Sequence, residues 1–421
     1  MSRWRLLVAG VAVATLAATG TAVVNAPAHA SICSNLGFTG GDVGSTGSSG
    51  SSDIGFGSAD YGSYRAGGKK PQGPLPKLTG MSKAVSWVTG PRSLARTDQR
   101  FSISATDVGV SWDNGSGQVL MAFGDTWGMC AGQMVWRHNT MLRADGNSNL
   151  DKGITFPNAI PGSIRSGASV TPQHPTFAQP MLNASGVRNV EVGKIPTGGI
   201  AINGVQYMSY MSIHRWGGPA RWETNYSAIA VSRDNGQNWN TDNRTIRMNL
   251  ELTVPGVSQV EQGHGRFQVG AFLRSGDYVY QYGTPNGRFG AAFLSRVKPA
   301  DILNLDRYEY YRGGDGWSPR PVDAVAIVRQ PVGEMSVAYN NYLGRYVMLT
   351  ETAGNVVLRT SPTPAGPWSG PRTIVSAKQS AGLYAPYINP RGASGQFLYF
   401  NASRWDDYNV MLIKTDLSKV R

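Results

Sequence analysis

Residues Thr224 to Trp239 read TNYSAIAVSRDNGQNW, a strand-like run that ends in Ser232-Arg233-Asp234-Asn235-Gly236-Gln237-Asn238-Trp239. The ending specifies a tight turn. The Asp234 carboxylate accepts backbone N–H bonds across it, Gly236 takes the positive φ, and Trp239 packs underneath. Asp234 is therefore a structural residue, not a catalytic one. Outward from this turn, helical periodicity is nearly absent. Short runs rich in Val, Ile, Tyr and Phe alternate with Gly, Asn, Asp and Pro turns, which is the pattern of strands and hairpins. The runs recur in units: Thr106–Trp127, Gly199–Trp239, Phe267–Val297, Met335–Trp368 and Leu383–Leu417. Ser361-Pro362-Thr363-Pro364-Ala365-Gly366-Pro367-Trp368 takes the same outer-turn place in its unit as Ser232–Trp239 does in its own. Four strands per unit, repeated about five times, predict an all-β, five-bladed β-propeller, in which radial repetition protects the sheet edges. A two-sheet sandwich is the competing architecture, but it leaves the repeated outer turns unexplained.

The ends of the chain carry other information. Arg3 and Arg5 precede a diluted apolar run, Leu6 to Val24, and Ala28-His29-Ala30 is a small-x-small cleavage site. Residues 1–30 therefore read as a signal peptide cut after Ala30, giving a secreted or cell-envelope protein with no membrane span after its removal; a retained anchor is the alternative. Residues 31–78, rich in Gly and Ser with almost no aliphatic side chains, read as a disordered linker before a propeller at 79–421. The chain has two cysteines, Cys33 and Cys130. In an oxidising compartment a disulfide between them is their simplest use, and two thiols cannot build a zinc site. The net charge is +13, or +11 without Arg3 and Arg5, so the surface favours anionic partners. The basic residues are scattered without a Lys/Arg run, which argues against nucleic acid.

In a propeller the innermost strand of each blade lines a central funnel, so reactive groups recur near one end of those strands. Asp107 opens the first inner strand in TDVGVSWD, and Asp125 ends the neighbouring strand in FGDTW. Glu334 opens the fourth unit, and Glu223 precedes the Tyr226–Ser232 strand. Carboxylates in apolar company are costly unless paired, hydrogen-bonded or used. Three have a specific structural alternative: a turn cap for Asp107, an Asx-type turn for Asp125, an ion pair with Arg221 for Glu223. Two carboxyl groups of opposed protonation are what glycoside hydrolysis requires. Among the eleven Trp, Trp127, Trp136, Trp216, Trp222, Trp317 and Trp405 fall in or near predicted loops, where sugars could stack, although most Trp serve packing. Trp127, His138, Asn139, His264, Arg288 and Tyr384 complete the candidate substrate-binding set. The histidines match no metal-ligand spacing, so no metal or cofactor is assigned, with a structural Ca²⁺ in the channel left open. No G-x-S-x-G elbow or phosphate loop is present.

Ser232–Trp239 resembles the Asp-box of sialidases and other propellers, and Ser361–Trp368 resembles the SPxGPW turn of arabinanase-type propellers. TDVGVSWD, FGDTW, TNYSAIAVSRDNGQNW, GTPNGRFGAAFLSRV (Gly283–Val297), SPTPAGPW and YAPYINP (Tyr384–Pro390), in that order, resemble the family called domain of unknown function 4185 from about Ala84 to the C-terminus. The resemblance implies glycoside hydrolase family 183: monomeric, secreted endo-D-arabinanases that cut internal α-D-arabinofuranosyl linkages of mycobacterial arabinogalactan and lipoarabinomannan. It carries Asp107 and Asp125 over by motif, and Glu334 and Glu223 only by position. A carbohydrate-binding propeller without catalysis and an exo-arabinofuranosidase or sialidase are the competing readings; no sialidase-type arginine triad can be read from the spacing.

Overall fold

The computed structural model describes residues 71–420. The expected signal peptide, most of the expected linker and Cys33, and with it the Cys33–Cys130 pairing, lie outside the described residues. The described residues form five small antiparallel sheets arranged as a five-bladed β-propeller. One further strand, β1 (Ser82–Trp87), comes first in the chain but belongs to the last blade.

The first blade holds β2 (Ala105–Asp113), β3 (Gln118–Cys130), β4 (Gln133–Arg137) and β5 (Thr140–Asp145). β3 is long enough to pair with β2 and β5 along one half and carry β4 on the other. The second blade is β6 (Gly193–Ile202), β7 (Val205–Trp216), β8 (Trp222–Ser232) and β9 (Asn240–Met248). The third runs β10 (Val269–Ser275), β11 (Tyr278–Thr284), β12 (Gly290–Val297), β13 (Glu309–Gly313) and β14 (Gly316–Ser318), with β15 (Val328–Val332) also on β12. β16 (Met335–Asn340), β17 (Arg345–Thr352), β18 (Asn355–Ser361) and β19 (Arg372–Val375) make the fourth. The fifth contains β20 (Leu383–Ile388), β21 (Phe397–Arg404) and β22 (Asn409–Asp416), and β1 adds to β22 as its outer strand. That pairing closes the ring with backbone hydrogen bonds between distant parts of the chain.

Residues 71–78 belong to this body, a correction to the linker boundary. Gln72 is buried and donates to the Thr89 carbonyl, the Gly73 N–H donates to Asp407, and Leu75 and Leu78 pack on the core. Two leucines and a buried amide were enough to order a segment whose composition is otherwise that of a linker.

The Ser232–Trp239 turn has the anticipated construction. Asp234 accepts from the Asn238 backbone N–H at 2.9 Å and the Ser232 hydroxyl at 2.7 Å, and Gly236 has φ of 77°. Trp239 is buried edge-on against Trp112 of β2, with ring centroids 6.3 Å apart, which joins blades one and two. Gly199 faces the same indole so closely that a Cβ there would lie 2.2 Å from it.

The inner strands are β2, β6, β10, β16 and β20, and they are irregular where the site lies. β2 loses register around Val108, with φ of 69° at Val108 and 78° at Gly109. β20 loses register after Tyr384, with Ala385 at φ 51°. A β-branched residue at positive φ is a genuine outlier, and bulges of this kind re-aim side chains at the rim of a barrel or funnel.

Candidate active site

Asp107, Glu334 and Tyr384 sit at the beginnings of β2, β16 and β20, so the ring brings them to one mouth of the funnel. They line a cavity of about 400 Å³ that also takes in Asp125, Arg288 and Trp222. The cavity is large enough for a sugar and has both apolar walls and convergent polar groups.

The Asp107 carboxylate is aimed by the β2 bulge. Its Oδ2 accepts the Tyr384 hydroxyl at 2.9 Å, while Oδ1 is buried without a hydrogen-bond partner. Gly124 on β3 leaves room for it, since a Cβ there would lie 2.4 Å from Oδ1. Burial pushes the carboxyl up to about 7, against the opposing hydroxyls of Tyr384 and Tyr408; Glu334 adds to the rise and Arg288 offsets it. Asp125 is only 4% exposed and accepts from the Trp136 indole Nε1–H at 2.9 Å. Burial, reinforced by the charge of Asp107, holds it well above the ordinary carboxylate range. One N–H donor does not compensate for that loss of water.

Glu334 is buried too, but differently provided for. Arg288, on the loop between β11 and β12, donates to both its oxygens, at 2.7 and 2.6 Å. The guanidinium also lies over the rings of Tyr384 at 4.7 Å and Trp222 at 5.3 Å. Burial is the largest single influence on Arg288 and would lower its pKa, but the charge and hydrogen bonds of Glu334, with Tyr384 and Glu351, together raise it. A bidentate pair stacked on two rings is a rigid unit. The site therefore presents two carboxyls that resist ionisation beside a third locked in an ion pair.

A family model described as "Domain of unknown function (DUF4185)" matches residues 92–414. The chain belongs to the DUF4185 family. Among curated proteins, this DUF4185 chain is 27% identical over 321 residues to Notoamide biosynthesis cluster protein J of Aspergillus sp. (strain MF297-2), covering 73% of this chain and 81% of that one. Against Notoamide biosynthesis cluster protein J' of Aspergillus versicolor it is 29% identical over 332 residues, covering 73% and 82%. Among solved structures it is similar to a putative hydrolase from Bacteroides ovatus ATCC 8483, with TM-score 0.49, 11% identity, and 76% and 87% of the two chains covered. It is also similar to an α-L-arabinofuranosidase from Podospora anserina in complex with cellotriose, with TM-score 0.43, 11% identity and coverage of 81% and 98%.

Within the DUF4185 site, the sequence candidates separate into two groups. Asp107, Asp125, Glu334, Arg288 and Tyr384 converge on the cavity. Glu223 does not: it is half exposed near the start of β8, in an ion pair with Arg215 at 2.5 Å. The partner is Arg215 and not Arg221, because the β7–β8 register places Arg215 opposite Glu223. Glu223 is therefore removed from the catalytic set, although its neighbours Arg221 and Trp222 line the cavity.

Trp127 is buried between Trp136 and Tyr408 and faces a second, smaller cavity, so it offers no platform in the main one. His138 packs behind Trp136 at 4.3 Å, and burial lowers it to about 4. Asn139 is fully buried, accepting from the Met181 and Leu182 N–H groups and donating to the Leu182 and Lys194 carbonyls; it is a structural clamp. His264 contacts the Ser258 carbonyl at 2.8 Å and lies against Tyr310, away from the cavity, with burial lowering it to about 3. Trp216 and Trp405 do line the cavity, whereas Trp317 packs against Arg296 in the third blade.

Sequence reasoning missed Glu351, which ends the apolar β17 run, lines the cavity and is raised by burial. Its position at the end of a buried strand repeats the signal that marked Asp125. Among the described residues no group of three or more His, Cys, Asp or Glu is disposed to hold a metal ion.

Proposed function

We propose that this protein is a secreted glycoside hydrolase that cleaves internal α-D-arabinofuranosyl linkages of cell-wall D-arabinan. The observation that carries the reading is the carboxyl set at the funnel mouth. Both Asp107 and Asp125 are buried, Asp107 raised to about 7 and Asp125 held well above the ordinary carboxylate range by burial and the Asp107 charge, next to the Glu334–Arg288 ion pair. Hydrolysis of a glycosidic bond needs one protonated carboxyl to assist the leaving oxygen and one ionised partner.

Asp125 is assigned as proton donor, since burial and the Asp107 charge both favour its neutral form. Its proton passes to the glycosidic oxygen as the anomeric C–O bond breaks. Asp107, which has hydroxyl donors from Tyr384 and Tyr408 for its charged form, is the ionised partner. In an inverting reaction it draws a proton from the water that adds its oxygen to the anomeric carbon; in a retaining one it forms a glycosyl ester, and the deprotonated Asp125 draws the proton from the water that displaces the Asp107 carboxylate. Glu334 and Arg288, fixed on each other, form a rigid, charge-neutral wall beside the reacting carboxyls. The linkage assignment comes from the family resemblance of the motifs. The leader-like N-terminus and the basic surface are consistent with work at an anionic envelope.

The test is incubation with purified mycobacterial arabinogalactan and chromatography of the products. Arabino-oligosaccharides from the wild type, and none from Asp125→Asn, are expected. Release of single sugars alone would exclude internal cleavage, and binding without release would identify a carbohydrate-binding propeller.

A further inference from the structure

We infer that Trp136 is a positioning residue for Asp125, fixing the carboxyl that delivers the proton. The inference rests on the reading of Asp125 as the proton donor. Trp136 lies on β4, the strand carried only by the far half of β3, and its indole reaches back to Asp125 Oδ1 at 2.9 Å. The indole is itself held by two ring contacts. Trp127 stacks with it, centroids 6.3 Å apart and planes at 29°, and His138 packs against it in an edge contact at 4.3 Å.

An indole N–H donates and cannot accept. It therefore occupies Oδ1 in either protonation state and leaves Oδ2 to carry the mobile proton. A free carboxyl would share its proton between the two oxygens and present it to the substrate only part of the time. Clamping the acid removes that ambiguity, which is the preorganisation that proton transfer requires. The long β3 and the extra strand β4 set the first blade apart, and on this account their use is to bring a tryptophan behind the acid.

The electrostatic surroundings allow a clean measurement. Asp107 is the charged group that faces Asp125 from β2, and its influence raises Asp125, whereas the indole opposes the rise. His138, behind Trp136, is kept neutral by burial at any pH well above about 4. The adjacent Arg137 points away, donating to the Ala178 carbonyl at 2.6 Å and to the Ser102 carbonyl. Arg288 and Glu334 are closed on each other as an ion pair in the cavity wall.

The experiment uses Trp136→Phe and, at the same position, β-(3-benzothienyl)alanine, which keeps the bicyclic shape and lacks the N–H. Asp125 is titrated by ¹³C carboxyl NMR in each protein, and kcat is followed against pH on arabinogalactan. Both variants should raise the Asp125 titration, move the alkaline limb of kcat upward and lower kcat about ten-fold or more at the optimum, with KM little changed. An unmoved Asp125 titration in the benzothienyl protein would overturn the positioning role. A raised titration in a protein that cuts no glycan would leave that role standing and remove the hydrolase reading instead.

Discussion

Asp107 opens an inner strand and Asp234 sits in the turn after β8, at opposite ends of the propeller, and their surroundings push them in opposite directions. Burial acts to raise Asp234, but the hydrogen bonds from Asn238 and Ser232 outweigh it, so its carboxyl sits below the ordinary range. Asp107 has a hydroxyl on Oδ2 and no partner on Oδ1, so burial wins and lifts it to about 7. A satisfied carboxylate is part of the frame; an under-satisfied one is available to react. The backbone agrees: φ is positive at Asn235 and Gly236, as a turn needs, whereas the outlier beside Asp107 is a valine inside a strand.

The comparison breaks most sharply on catalysis. Asp125→Asn and Asp107→Asn should each lower kcat by roughly 10²–10⁴-fold while leaving a folded protein. Asp234→Ala should instead leave kcat per folded molecule unchanged and cost about 2–3 kcal/mol of stability, through the loss of hydrogen bonds to a charged acceptor. Activity lost with Asp234 in a fully folded protein would dissolve the distinction.

Stability against pH sharpens it further. Asp107 binds its proton more tightly in the folded protein than unfolded, where the ordinary value is 3.8. The folded state therefore loses stability as pH rises through the window from about 4 to about 7. Asp107→Asn has no proton to release, so it should gain relative to wild type across that window, by at most roughly 4 kcal/mol above it. Thermal melts at pH 4.5 and 8 check this; an equal difference at both would show that Asp107 titrates normally.

The contrast also explains what could be read from the chain. The blades were legible because strand alternation and turn chemistry are local, and the Asp234 turn is fixed by eight consecutive residues. Asp107 and Asp125 stood out because a carboxylate in an apolar strand is anomalous wherever the strand lies. Partners were not legible. That Arg288 meets Glu334 depends on how blades three and four face each other, and that Glu223 meets Arg215 depends on the β7–β8 register. His264 and Asn139 attracted attention as polar residues near turns, yet both are spent on buried backbone groups, which only the packed loops reveal.

The smallest effect concerns the Tyr384 hydroxyl on Asp107. Tyr384 donates to Oδ2, and that bond favours the ionised carboxylate, opposing the burial that raises it. Tyr384→Phe removes the donor and keeps the ring that lies under Arg288. If Asp107 acts ionised, the acid limb of kcat/KM should then shift to higher pH, because a carboxyl whose charged form is less stabilised gives up its proton only at higher pH. Activity well above the limb should fall by only about ten-fold, the worth of one hydrogen bond to a charged group. The direction is the decisive part. An acid limb that stays in place while activity falls would mean that Tyr384 serves the substrate and that another carboxyl of the cavity wall, such as Glu351, sets the limb.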